Sequence, residues 1–354
     1  HAVMQRKSIF GSIVESVFDA QAANFWLKKI NPIWSLDESL GRIVEKTETA
    51  AETVSLKIQV NQKFKMGQAG QHHPVIVKHD GRRYERTYSL TQLDEKNVLL
   101  TAKKVHRGIV STWLCELSHI GDVIEFGLPY GDMLIEPNYT ALLLLAAGSG
   151  ITPMYSLLKT LVESNQIKHT SVQLMYWVKK HSDVAFKAEL EQWAIQYPNF
   201  KLQLFYTQEQ VMDVRLNSEH LQYIEHLTET TVYSCGPSGF VAAAEQVFAQ
   251  AKLFKSEAFS LTPVINNDTG FITVTLSKSN QQVSIPKGQS ILVGLEQQNI
   301  KPMHGCRMGV CNKCACNKAQ GATKNLVNGA ENTEPGNLLK LCVNSAQTDL
   351  VIDL

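Results

Sequence analysis

The pattern of hydrophobic and polar positions changes character three times along the 354 residues. Over residues 8–27, Ile9, Ile13, Val17, Phe18 and Phe25, with Trp26, recur at roughly helical intervals, and Asn31-Pro32 ends the segment. Such a helix either packs on the next domain or offers a docking face to a membrane or a partner protein. Packing is the preferred expectation, because the polar face is not rich in lysine. From Gly41 to Pro137 the texture becomes short alternating or β-branched runs, at 53–60, 74–78, 98–103 and 123–126. Turn signals at His79-Asp80-Gly81, at 94–97 and at Tyr130-Gly131-Asp132 separate them, which predicts an antiparallel barrel. From Tyr139, buried apolar runs alternate with helical patterns: 141–147 then a helix through Leu161, 172–178 then 186–197, 201–206, and 231–235 then a helix to Ala251. That alternation predicts a parallel sheet covered on both faces. Residues 263–270 have linker composition, after which 271–276 and 282–285 read as a hairpin and 291–298 as a helix. The expected divisions are an N-terminal helical extension (1–39), a barrel (40–137), an α/β domain (138–262), a linker (263–270) and an α+β domain (271–354).

Length and charge narrow the function classes. The chain can hold two or three separate cores. With 34 Lys and Arg against 33 Asp and Glu, the net charge is +1, so no bulk attraction to nucleic acid or an anionic membrane is expected. No apolar run reaches eighteen residues, so no transmembrane helix is expected. Gly11, Ser12 and Glu15 interrupt the first apolar stretch, so no secretory signal is expected, and His1 to Val3 ahead of Met4 reads as a cloning remnant.

Of seven cysteines, Cys306, Cys311 and Cys314 have the spacing C-x4-C-x2-C, and Cys342 follows. That is the plant-type ligand pattern of a 2Fe-2S cluster. Four thiolates must converge on a two-iron rhomb, and a short loop can supply three of them. Gly305 and Gly309 suit the tight turns of such a loop. Zinc sites usually pair two C-x2-C knuckles, whereas Cys311 and Cys314 make one. The remaining Cys115, Cys235 and Cys316 form an odd set, which argues for the reducing cytoplasm over a disulfide framework.

Four further segments carry candidate chemistry. Arg86-Thr87-Tyr88-Ser89 closes a barrel strand: a guanidinium fork suits phosphate oxygens, a tyrosine ring offers an apolar platform, and a hydroxyl can donate or accept. An ordinary strand end would give the same four residues. Gly108-Ile109-Val110-Ser111 opens a helix whose N–H groups suit a pyrophosphate, and a plain capped helix shares that pattern. Gly148-Ser149-Gly150-Ile151-Thr152-Pro153 sits where a buried strand becomes a helix, with glycines that admit a phosphate and Pro153 in the first helical turn. It lacks the third glycine of the Rossmann fingerprint. Cys235-Gly236-Pro237 ends a later strand, where a buried structural cysteine is the alternative. Lys179, Lys180 and His181 follow the second strand of the α/β domain with no carboxylate noted beside them. As cations they could meet a 2′-phosphate, and solvated lysines on a loop would look the same.

In these segments the chain resembles the ferredoxin reductase superfamily of flavoproteins. Over Leu40 to Leu354, with the cysteine loop included, it is similar to reductases fused to a C-terminal plant-type ferredoxin, such as the reductases of phenylacetyl-CoA epoxidase and of acyl desaturases. Phe25-Trp26-Leu27 and Asn31-Pro32 look more like those of membrane acyl desaturases. The resemblance implies an antiparallel β-barrel flavin domain, an α/β parallel-sheet nucleotide domain and a β-grasp ferredoxin domain. It also implies that Arg86 meets the flavin phosphate, Thr87 and Tyr88 line the flavin, Ser89 lies near flavin N5, and Lys103 and Gly108 to Ser111 belong to the same site. Cys235, beside Gly236 and Pro237, would approach the nicotinamide, and Phe259 would shield the flavin, although core packing accounts for it nearly as well. Cys316 is read as a neighbour of the cluster, not a ligand.

The implied activity is that of an NAD(P)H-dependent oxidoreductase. Electrons would pass from NADPH or NADH, with NADPH preferred, through FAD, preferred over FMN, to the 2Fe-2S cluster. They would leave one at a time for an oxygenase, hydroxylase or fatty-acyl desaturase. Plant-type clusters lie at potentials on the order of -400 mV, low enough for oxygen-activating iron. A cytoplasmic monomer is expected, with membrane association only through a membrane-bound partner. The loop surface around Arg307, Met308 and Val310 is expected to stay open as the exit to that partner. Two alternatives remain: a self-sufficient flavin enzyme acting on an organic substrate, and a non-catalytic redox-sensing module.

Overall fold

In the computed structural model, the chain is described at residues 9–106, 108–131, 133–259, 270–305, 307, 309, 311–327, 329–333 and 335–354, and at 9–19, 82, 238 and 259 by backbone alone. Helix α1 (Ile9–Ile30) comes first. Its described side chains do not pack on the next domain as expected: Phe25, Trp26 and Ile30 are 56%, 68% and 72% exposed. Its apolar positions spread around the helix instead of gathering in a stripe, so it has no single face to bury. It is tied to the segment that follows it. Asn24 donates to Asp37 and accepts from the Leu36 N–H, both at 2.7 Å, and Lys28 pairs with Glu38.

Strands β1 (Leu40–Ala50), β2 (Thr53–Val60), β3 (His72–His79), β4 (Arg82–Gln92) and β5 (Asn97–Lys103), then the single-turn helix α2 (Ile109–Thr112) and strand β6 (Val123–Phe126), form the first domain. The strands close into an antiparallel barrel in the order β1-β2-β5-β4-β3-β6. Asp80 and Gly81, at φ 48° and 74°, make the two-residue hairpin turn whose twist matches the strands it joins. The turn fixes the register, pairing His79 with Arg82 and, counting outward, His72 with Ser89.

His73 falls on the inward face with Val75 and Val77. It stacks on Phe64 at 5.4 Å and accepts the Gly67 N–H at 3.1 Å, while its Nδ1 has no partner. Burial, with a smaller opposing effect of the Lys65 carbonyl and a further push from His72, lowers its pKa to about 4. The unfolded chain takes a proton here near pH 6.5, which the folded barrel refuses until about pH 4. Stability is therefore complete above pH 6.5 and falls as the pH drops through that window, by roughly 1.4 kcal/mol per unit. Denaturant unfolding between pH 7 and 4.5 should show this slope reduced in His73→Asn, and an unchanged slope would refute the assignment.

The second domain holds β7 (Ala141–Ala147), α3 (Ile151–Glu163), β8 (Ser171–Val178), α4 (Lys187–Gln196), β9 (Phe200–Tyr206), β10 (Thr230–Pro237), α5 (Ser238–Val247) and β11 (Leu253–Phe259). Its sheet is wholly parallel, in the order β11-β10-β7-β8-β9. The chain builds outward from β7 in one direction and then returns to its other side, so the order reverses between β7 and β10. Ligands of open α/β sheets bind at such a switch point, beyond the carboxyl ends of the strands. The sequence reading named neither β11 nor the end of α5 at Val247.

The third domain contains β12 (Phe271–Leu276), β13 (Gln281–Pro286), α6 (Ile291–Gln297), β14 (Ala315–Gln320), β15 (Thr323–Asn325), β16 (Glu331–Asn332), β17 (Asn337–Lys340), β18 (Asn344–Ala346) and β19 (Leu350–Ile352). A mixed sheet, β13-β12-β19-β14-β17, carries α6 on its core through Ile291, Leu292 and Leu295. A second sheet, β16-β15-β18, lies beside it. Residues 263–269 of the expected linker lie outside the described residues. Among the described residues no helix is long and apolar enough to cross a membrane.

Candidate functional site

Strand β4 carries Arg86 to Ser89 and is touched by both other domains. From the second domain, Ser156 of α3 donates to the Leu90 carbonyl at 3.3 Å. Ser89 Oγ lies 2.8 Å from His72 Nδ1, and His72 Nε2 bonds to Glu257 of β11. Both His72 and Glu257 are buried. The carboxylate holds the proton on Nε2, which leaves Nδ1 to accept from the Ser89 hydroxyl. A serine, a histidine and a carboxylate from two domains thus stand in line, ending at the hydroxyl expected beside a flavin. Thr87 accepts from Tyr130 Oη at 2.9 Å.

Arg86 remains accessible. Its Nη1 donates to the Glu85 carbonyl at 2.6 Å, and no ion pair engages it among the described residues. Partial burial, then the Arg307 guanidinium, lower its pKa. An accessible cation with no ion pair among the described residues fits an anionic phosphate. Burial raises the pKa of Tyr88, which keeps its ring a neutral platform. The Ser111 hydroxyl accepts from the Val105 N–H at 3.0 Å instead of capping α2, and Gly108 has no Cβ because that hydroxyl occupies its place.

The two glycines of the nucleotide loop serve different needs. Gly148 adopts φ 56°, and a Cβ there would stand in open space, so the loop faces an unobstructed volume. Gly150 presses on the Cys235 carbonyl, with no room for a side chain. These residues sit at the carboxyl ends of β7 and β10, at the switch point. Thr152 Oγ1 donates to the Ser149 carbonyl at 3.1 Å. A shallow cleft opens before the loop, lined by Thr53, Thr101 and Lys103 of the barrel and by Gly148, Thr152 and Asp183 of the second domain. Lys103 thus faces the nucleotide loop, 4.0 Å from Asp183. The loop glycines at this switch point, one of them facing open space, fit the phosphates of a dinucleotide. Cys235 is fully buried, and burial, reinforced by Glu257, raises its pKa well above a free thiol's, so it presents no thiolate to the cleft. Phe259 ends β11 opposite Pro237, and its side chain lies outside the described residues.

Lys179 and Lys180 are exposed beyond β8. Carboxylates do stand near them, contrary to the sequence expectation. Asp183 accepts the Lys180 N–H at 3.1 Å, and Glu209 pairs with His181, which stacks on Tyr206 at 3.7 Å. They escaped notice because one lies a turn further on and the other on a different strand's exit.

In the cysteine loop, a Cβ on Gly305 would stand 2.8 Å from the Cys311 sulfur, and Gly309, Arg307 and Asn312 have φ of 79°, 57° and 57°. Left-handed residues recurring within the loop turn the chain tightly at these points. The Leu341 N–H donates to the Cys314 carbonyl at 3.3 Å, which holds the buried Cys342 beside the buried Cys314. This arrangement fits the plant-type cluster. Cys306 lies outside the described residues. No three described ligating side chains converge on a single ion, and a dinuclear cluster, which divides its thiolates between two irons, requires no such triple. Cys316 lies on β14, and burial, then the neighbouring Cys314, push its thiol up to about 11. Arg307 does not line an open exit as expected. It turns inward onto Glu85 and Glu296, and Met308 and Val310 lie outside the described residues.

Models of three families match the chain: the oxidoreductase FAD-binding domain at residues 41–135, the oxidoreductase NAD-binding domain at 144–246 and the 2Fe-2S iron-sulfur cluster binding domain at 274–343. An NADPH oxidoreductase of Mycobacterium tuberculosis is 31% identical, with 93% of this chain and 88% of the relative covered. The ferredoxin reductase component of 3-ketosteroid-9-alpha-monooxygenase from Mycolicibacterium smegmatis is 27% identical, with 76% and 80% covered. The solved structure of a phthalate dioxygenase reductase superposes with a TM-score of 0.72 at 23% identity, covering 89% of this chain and 97% of the other, and so shares the fold.

Proposed function

The chain belongs to the family of oxidoreductases that join an FAD-binding, an NAD-binding and a 2Fe-2S domain, and from that premise we propose that it is an NAD(P)H-dependent reductase serving a partner oxygenase. The observation that carries this reading is the position of β4, the flavin strand, in contact with both other domains through Ser89–His72–Glu257 and Glu85–Arg307. A bound flavin accepts two electrons together and releases them singly, which a 2Fe-2S centre can carry, so one nicotinamide serves two single-electron acceptors. The protein's task is to position and to handle protons. Arg86 holds the phosphate, Ser89 meets the flavin with His72 as its proton partner, and Gly148 to Thr152 hold the dinucleotide. Cys311, Cys314 and Cys342, with Cys306, ligate the cluster. The proposed domains span 40–137, 138–262 and 271–354. Anaerobic titration with NADPH tests the reading: flavin and cluster absorption should bleach together, and absence of any bleaching would favour the redox-sensing module.

The acceptor is an oxygenase, hydroxylase or fatty-acyl desaturase, a choice supported by relatives named as oxygenase reductase components. Cysteine usage supports the reducing cytoplasm as its compartment, and a monomer is proposed there. NADPH is the proposed donor, supported by the exposed Lys179 and Lys180 and by the name of the Mycobacterium tuberculosis relative. Lys180→Ala should raise the KM for NADPH about tenfold, the effect of one charge-assisted hydrogen bond, and leave that for NADH unchanged. Equal KM values for the two nucleotides in wild type and variant would overturn this choice.

A further inference from the structure

Two cations of the cysteine loop reach out of the third domain onto the barrel. Arg307 Nε donates to Glu85 at 2.8 Å, while Nη1 and Nη2 both donate to Glu296 of α6, Nη1 at 3.1 Å. His304 completes this group, with Nε2 3.0 Å from Arg307 and 3.4 Å from Glu85. The Arg307 side chain is only 16% exposed. Lys313, between Cys311 and Cys314, sets its Nζ 5.1 Å over the ring of Tyr130, whose hydroxyl holds Thr87. Glu85 and Thr87 are the two neighbours of Arg86. The loop is therefore pinned to the flavin strand on both sides of the residue expected to hold the flavin phosphate.

The geometry of each pin suits a seat. Glu296 grips both Nη atoms of Arg307, so the fork is oriented before it meets Glu85, and little side-chain freedom is lost at that contact. A lysine over a tyrosine face tolerates small shifts along the ring while holding the approach distance. Single-electron transfer depends steeply on the gap between donor and acceptor, so a loop held at two points has a defined gap where a tethered domain would have a distribution of gaps.

We propose that Arg307 and Lys313 are positioning residues that seat the cluster loop on strand β4, making this face of the loop the side on which electrons enter. The inference rests on the relay reading above and adds the direction of flow to it. The acceptor meets another face of the third domain.

The test uses the full-length protein loaded with flavin and iron, both assayed in every variant. Glu85→Lys sets a cation against Arg307. It should raise hydrogen exchange in 82–92 and 311–320, and lower the ratio of cytochrome c to ferricyanide reduction about tenfold. Glu85→Asp should restore most of both readouts. Glu296→Gln, on α6 and outside the flavin strand itself, should move them the same way by a smaller factor, so the inference stays testable if Glu85→Lys fails to load flavin. Exchange and ratio unchanged in Glu85→Lys and Glu296→Gln, with a wild type that reduces both acceptors, would overturn the seat alone. A loaded wild type that reduces neither acceptor would overturn the relay and the seat together.

Discussion

Cys311→Ser is expected to separate the two halves of the activity. Reduction of cytochrome c should fall by about two orders of magnitude or more, while NADPH-driven reduction of ferricyanide falls far less, because only the first acceptor depends on the single-electron carrier. The sulfur of the half-buried Cys311 lies close against the chain, with Gly305 lacking a side chain where a Cβ would stand 2.8 Å away. A serine oxygen there is a harder ligand with a shorter reach, so the cluster should be lost or altered. Residues Arg86 to Ser89 belong to a different core, built on Leu56, Val75 and Leu100, and should keep their arrangement. Iron content, the visible spectrum and the two dye rates measure the outcome. Survival of both rates in a variant without iron would show that electrons leave from the flavin directly, and the third domain would need another role.

Elements with a strong period were legible in the sequence. The run 141–147 is apolar throughout because β7 is the central strand of a parallel sheet, and in β2 Val54, Leu56, Ile58 and Val60 alternate with polar residues because one face packs into the barrel core. Edge elements were not. β11 reads Leu-Phe-Lys-Ser-Glu-Ala-Phe, a mixed pattern at the sheet's edge, and supplies Glu257, the carboxylate behind His72. His72 itself could have been found. Once Asp80-Gly81 is read as a two-residue turn, counting outward pairs positions 72 and 89, since opposite residues sum to the same value as 79 and 82. The Arg307–Glu85 pair, 222 positions apart, had no such arithmetic. It depends on how two domains sit together, which no local period encodes, and so the sequence reading assigned Arg307 to an open exit. The same limit hid Asp183 from Lys103: one was read within a flavin segment, the other not at all, and only the packing of barrel on parallel sheet makes them neighbours.

Ser89→Ala should lower the rate at which NADPH reduces the loaded enzyme by on the order of a hundredfold, the usual cost of removing a positioned proton donor or acceptor. His72→Gln keeps a polar side chain in the buried site and should lower it about tenfold, because the hydroxyl remains but loses the acceptor that orients it. Glu257 is a poor probe of the same idea. Removing one partner of a buried, hydrogen-bonded pair destabilises the fold, so a lost rate would not distinguish chemistry from packing. The double variant Ser89→Ala/His72→Gln makes that distinction. If His72 acts through the Ser89 hydroxyl, it has nothing to act on once the hydroxyl is gone, and the double variant should be no slower than Ser89→Ala. If the two losses multiply to about a thousandfold, His72 contributes through the junction of barrel and nucleotide domain instead. The line Ser89–His72–Glu257 would then be a structural seam that happens to end at the flavin.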